Sequence, residues 1–85
     1  MTRPSHRPTR KTLGIVLRLF RENRGLSQEA LGFKARLHRN YVGGVERGER
    51  NPSFESLGKW LESVGVSWKE FGEALERLER EKRGN

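Results

Sequence analysis

Glycine and serine punctuate this chain at intervals that leave room only for short helices. Gly25 stands just ahead of Ser27, Gly48 ahead of Ser53, and Gly65 ahead of Ser67. Glycine readily takes the left-handed backbone that ends a helix. A serine at the next start can accept a hydrogen bond from one of the free backbone N–H groups there. Between these marks the apolar residues recur at spacings of three and four. Leu13, Leu17 and Phe20 form such a stripe in a first helix over 13–24. A second helix runs from the Ser27 cap to about Ala35, with Ala30 and Leu31 inward. A third spans 39–47 after a gap of only a few residues, and 49–52 is a turn. Ser53 caps a fourth, whose buried stripe is expected to be Phe54, Leu57, Trp60, Leu61 and Val64. Ser67 caps a fifth, carrying Trp68, Phe71, Leu75 and Leu78 at helical spacing. No alternating run of useful length occurs. The expected fold is all-α, a compact bundle of five short helices.

The 85 residues make one domain. A domain this small buries only about 60% of the surface its unfolded chain exposes, so a second chain would help complete its core. Residues 1–11, with Pro4 and Pro8, read as a flexible basic arm, 12–80 as the folded domain and 81–85 as a charged tail. The stretch 77–83 is charged on all sides and reads as a fraying helix end. There is no cysteine, which excludes disulfides and thiolate metal sites. The longest apolar run, Ile15 to Leu17, falls far short of the roughly 20 residues of a membrane span. No apolar signal core follows the basic N-terminus, and a cytoplasmic location is expected.

The formal charge is +7. All 11 acidic residues are Glu, and none precedes Glu22. Such a balance suits a polyanionic partner, either nucleic acid or an anionic membrane surface, although it also serves plain solubility. Thirteen Arg against five Lys lean towards phosphate and base-edge contacts, where the planar fork is useful. An enzyme is not expected. The chain has no Asp, its two histidines, His6 and His38, have no carboxylate constellation beside them, and no phosphate-cradling glycine motif occurs. No cofactor, metal or small-molecule ligand is expected.

Two short helices joined by a three- or four-residue turn form a helix-turn-helix, and the second can enter the major groove of DNA. The residues here go further than that generic pattern. The run Arg24-Gly25-Leu26-Ser27-Gln28-Glu29-Ala30-Leu31, followed by Asn40-Tyr41-Val42 and then Val45-Glu46-Arg47-Gly48-Glu49-Arg50-Asn51-Pro52-Ser53, resembles the Cro/C1-type (XRE) helix-turn-helix family. The resemblance extends from about Leu13 to Phe71. Within the family, the stretch 39–48 is most similar to restriction–modification controller proteins, which are small dimeric regulators. Phage repressors and antitoxins share much of the pattern.

The resemblance implies roles residue by residue. Gln28, at the first turn of the second helix, clamps a phosphate with help from the helix N-terminus; its plainer reading is an exposed polar residue. Arg39 and Asn40 read base edges, a task their geometry suits, Arg towards guanine and Asn towards adenine. His38 touches phosphate or base, or simply caps the helix. Tyr41 lies on the flank, bonding a phosphate or packing on the turn, while Val42 and Val45 face the core. Arg47, Arg50 and the Asn51 region meet the DNA backbone, or form a solvated charge cluster. Glu46 pairs with Arg21. Gly43 and Gly44 each cost the helix about 1 kcal/mol relative to Ala. Either the helix backbone rides close to the groove floor there, or an exposed face makes little packing demand. Arg36 stands where the family often has Gly. A turn of another shape, or an arginine accepting positive φ while pointing at phosphate, would each account for it.

Ile15, Val16 and Leu19 form a second apolar side on the first helix. The fifth helix is expected to cover it through Leu75 and Leu78. Trp68 and Phe71 then remain to meet a second subunit, so that Trp68, Phe71, Leu75 and Leu78 make the dimer interface. The functional expectation is a sequence-specific regulator of transcription that binds double-stranded DNA as a homodimer. Its operator would be palindromic, with half-sites about 34–36 Å apart. The alternative is an antitoxin or adaptor whose main work is protein–protein interaction. RNA binding is more remote, because no aromatic platform for stacking bases is visible.

Overall fold

The computed structural model describes residues 8–83, and they form five helices: α1 (Arg10–Asn23), α2 (Gln28–Ala35), α3 (Arg39–Glu46), α4 (Phe54–Val64) and α5 (Trp68–Arg83). No strand occurs among the described residues. The expected all-α architecture of five helices is the observed one.

Side chains cap all five helix starts. Thr9, Ser27 and Ser53 each accept from the backbone N–H three residues on, at 3.1, 2.9 and 3.0 Å. Ser67 and Glu70 exchange reciprocal bonds of 3.0 and 2.9 Å, a capping box. His38 caps α3 through Nδ1, which accepts from Asn40 N–H at 3.0 Å. The ends of α1 to α4 all close in one way. Leu26, Leu37, Glu49 and Val66 send their N–H groups back to the carbonyls of Arg21, Gly32, Gly44 and Leu61. The residue before each of them turns the chain with positive φ: Gly25, Arg36, Gly48 and Gly65. This is the Schellman closure. Three of the four turning residues are the glycines marked in the sequence.

Two expected boundaries are wrong. Helix α1 begins at Arg10, so Arg10 and Lys11 are helical and not part of an arm; residues 1–7 of that arm lie outside the described residues. Helix α5 continues to Arg83, so 77–83 is helical and 81–83 is not tail. The reason is a tie back to α1. Fully buried Thr12 donates to Glu79 Oε2 at 2.6 Å and accepts from Lys82 Nζ at 2.9 Å.

The core gathers Val16, Leu17, Leu31, Val42, Val45, Trp60, Leu61, Val64 and Phe71. Helix α1 runs through its middle and packs on α3, α4 and α5, while α2 packs on α3 and α4. The C-terminal helix does cover the second side of α1. Val16 is buried there and Leu75 and Leu78 pack on the core, although Ile15 and Leu19 stay exposed. Two aromatic residues trade places relative to expectation. Phe71 is buried in the chain's own core, whereas Phe54 is 78% exposed and stacks on Trp68 with ring centroids 5.0 Å apart. At Gly14, α1 crosses the end of α3 so tightly that a Cβ would stand 2.5 Å from the carbonyl oxygens of Val45 and Glu46.

No helix among the described residues is long and apolar enough to cross a membrane, and no group of three or more His, Cys, Asp or Glu gathers there as a metal site would require.

Candidate nucleic-acid interface

A buried charge network sets how α2 and α3 stand together. Arg21 of α1 grips Glu46 of α3 with two parallel bonds, Nε to Oε2 at 2.6 Å and Nη2 to Oε1 at 2.9 Å. Arg21 Nη1 also donates to the Leu26 carbonyl at 2.7 Å, which fixes the entry into α2. Gln28 Nε2, at the first turn of α2, donates to the same Glu46 at 3.0 Å. One carboxylate thereby joins α1, α2 and α3. The bonds to Glu46 hold the Arg21 guanidinium above its ordinary pKa, against the opposing effect of burial, with Glu22 adding to the rise. Glu46 is therefore no exposed charge on this helix; it is buried and matched.

The turn between α2 and α3 has the shape a glycine would give, with Arg36 in its place at φ 60° and ψ 46°. The turn therefore keeps its shape, and Arg36 accepts the positive φ. Its side chain is exposed, and His38 beside it is the α3 cap.

Arg39 and Asn40 lie exposed on the first turn of α3. Arg39 Nη1 is 3.7 Å from Glu29 Oε1 across the turn. Val42 and Val45 are fully buried on the opposite side. Tyr41 packs on the loop after α3: its hydroxyl oxygen accepts from Ser53 N–H at 3.3 Å, and the Arg50 guanidinium sits 5.6 Å above its ring. Arg47 pairs with Glu49 at 3.2 Å on the surface, and Asn51 is exposed in the loop.

Gly43 and Gly44 are buried, and neither expected account fits them. Other side chains of this protein fill the space above both. A Cβ on Gly44 would meet Arg50 Cγ at 3.0 Å. One on Gly43 would meet Arg47 Nη1 at 2.9 Å and Gln28 Oε1 at 3.3 Å. The helix backbone is thus roofed by two arginine side chains and the Gln28 amide.

Sequence reasoning missed Glu29 and Glu49 as partners of Arg39 and Arg47. Neither pair has the three- or four-residue spacing that would reveal it on a helix. It also missed Thr12 and Gly14, which look like ordinary members of α1.

A family model described as helix-turn-helix matches residues 17–71. The chain belongs to that family, in its XRE-type branch. Its helix-turn-helix is α2, the Arg36 turn and α3. The chain is 41% identical over 55 residues to the control protein C.BamHI of Bacillus amyloliquefaciens, a match covering 65% of this chain and 65% of that relative, just under two thirds of its length. Among solved structures it is similar to the restriction–modification controller protein C.AhdI of Aeromonas hydrophila, with a TM-score of 0.70 and 42% identity over 73% of this chain and 94% of that one. It is also similar to the controller protein C.Esp1396I, solved as a tetramer with its natural 35 base-pair operator, with a TM-score of 0.77 and 31% identity over 82% and 92%.

Proposed function

We infer that this helix-turn-helix protein is a sequence-specific regulator of transcription that binds double-stranded DNA, of the restriction–modification controller type. The observation that carries the reading is the Arg21–Glu46–Gln28 network. It locks the start of α2 against α3 and presents Asn40, and Arg39 with only a solvent-exposed ion pair to Glu29, on the exposed first turn of α3. A helix so held can be inserted in the major groove as a rigid probe. Arg39 and Asn40 read bases. Gln28, Arg36, Tyr41, Arg47, Arg50 and Asn51 serve the phosphates on either side, and His38 contributes through the cap it gives α3. The operator complex of C.Esp1396I supports a DNA partner.

The protein acts as a homodimer. Its interface centres on Trp68, stacked on Phe54 and backed edge-on by Phe71 at 6.0 Å, with Leu75 and Leu78 alongside. Apolar surface of this kind is costly to leave in water, and a two-fold axis through it fits a palindromic operator. In this reading it is a cytoplasmic, nucleoid-associated protein of bacterial or phage origin, and no catalysis is assigned to it.

Selection of bound sequences from random duplex DNA, followed by footprinting, tests this reading. A palindromic consensus is expected, with affinity falling steeply with salt, the log–log slope near −0.9 per phosphate neutralised. A pool that does not enrich, or binding indifferent to salt, would instead favour a protein-interaction module.

A further inference from the structure

Helix α3 has no side chain of its own at 43, yet that position is covered. The Arg47 guanidinium folds back one turn to lie over Gly43, with Nη1 2.9 Å from where a Cβ would be. The Gln28 amide reaches the same spot from α2, with Oε1 at 3.3 Å and Nε2 at 3.6 Å. We propose that Gly43 is a seat for Arg47, and that Arg47 and Gln28 together take one DNA phosphate above it. This rests on the DNA-binding reading.

Three observations converge on the pair. Arg47 uses Nε for Glu49, leaving Nη1 unengaged, and its side chain is 59% exposed. Gln28 spends one N–H on Glu46, and a primary amide carries a second. The amide also stands at the N-terminus of α2, where free backbone N–H groups and the helix dipole favour an anion. The carboxylate beneath is already matched by Arg21, so it does not repel a phosphate arriving from above. Alanine is the better helix former at position 43. Adding its methyl would displace only the tip of a flexible arginine and the Gln28 amide, leaving the backbone in place. Gly43 is thus a positioning residue: it lowers helix stability and sets where a cation stands.

The test is binding to a mixed-sequence duplex of about 30 base pairs, followed by fluorescence anisotropy over a range of salt. Gly43→Ala is expected to hold Tm near the parent's, the helix gain offset by strain on the Gln28–Glu46 bond, while weakening binding roughly five- to ten-fold and flattening the salt slope by about 0.9 per protomer. Arg47→Ala should flatten the slope equally, and the double variant should be no weaker than Arg47→Ala alone. Arg47→Ala combined with Gln28→Ala should lose less than the sum of the two single losses, a result that does not depend on Gly43→Ala folding. If Gly43→Ala binds as tightly as the parent, or weakens binding as much without Arg47 as with it, the seat is refuted. Additive losses at Arg47 and Gln28 would refute the shared phosphate. Failure of the parent protein to bind the duplex in any salt overturns the DNA reading itself, and this inference with it.

Discussion

Glu46 and Arg36 are the residues whose chemistry decides most about the motif. Glu46 is the lone carboxylate on α3, buried with Arg21 in a two-bonded pair. Glu46→Gln leaves an arginine buried opposite a neutral amide, and a loss of about 3–5 kcal/mol in urea denaturation is expected. A loss below about 1 kcal/mol would place the pair among ordinary surface contacts. The raised pKa of Arg21 means that its share of this stability is complete below the ordinary arginine range and fades only in stronger alkali. Denaturation midpoints of the parent should therefore show no titration of Arg21 between neutral and mildly alkaline pH. Arg36 pays a conformational penalty of about 1–2 kcal/mol in the left-handed region. Arg36→Gly relieves it but adds freedom to the unfolded chain, worth about 0.4–1 kcal/mol. A net gain of roughly 0.5–1 kcal/mol is expected, and a loss would show that the side chain anchors the turn. The pairing of Arg21 with Glu46 was legible through the register of a familiar motif. The turn at Arg36 was not, because an arginine admits either backbone shape until the helices on both sides close around it.

At the scale of elements, most starts and stops were legible because caps are local chemistry. Ser27, Ser53 and Ser67 each bond to the backbone within three residues, and Gly25, Gly48 and Gly65 turn the chain where they stand. Positions that matter through another helix left no such trace. Gly14 reads as a neutral helix residue, yet a methyl there would collide with two backbone carbonyls of α3. Gly14→Ala is expected to cost about 3 kcal/mol or more in thermal or urea unfolding, because backbone cannot yield as a side chain can. Thr12 likewise acts at a distance, holding Glu79 and Lys82 near the far end of α5. Thr12→Val should weaken hydrogen-exchange protection across the last two turns of α5 and leave the α2–α3 unit protected as before. Equal loss of protection throughout would mean that α5 does not open separately.

For the whole molecule, the decisive surface is the aromatic one at the starts of α4 and α5. Phe54 and Trp68 are exposed in the single chain, and the proposed dimer covers them. Trp68→Lys should give a monomer in sedimentation at micromolar concentration and weaken binding to a palindromic duplex at least ten-fold. Its Tm should fall little, since Trp68 contributes only part of its surface to the fold. A variant that remains dimeric would move the interface elsewhere.

The sequence by itself determined the five helices, most of their caps and stops, and which two of them form the helix-turn-helix. These follow from interactions within a few residues and from a periodicity that any amphipathic helix must show. Tertiary structure alone decided which apolar face met which neighbour. Phe54 and Phe71 both sit on stripes of correct spacing, and only the placement of the helices left one outside and buried the other. The same holds for Gly43 and Gly44. Alone they look like gaps in a reading helix; in the fold, side chains from α2 and from the residues after α3 close over them, because chain compaction brings Gln28, Arg47 and Arg50 to one surface.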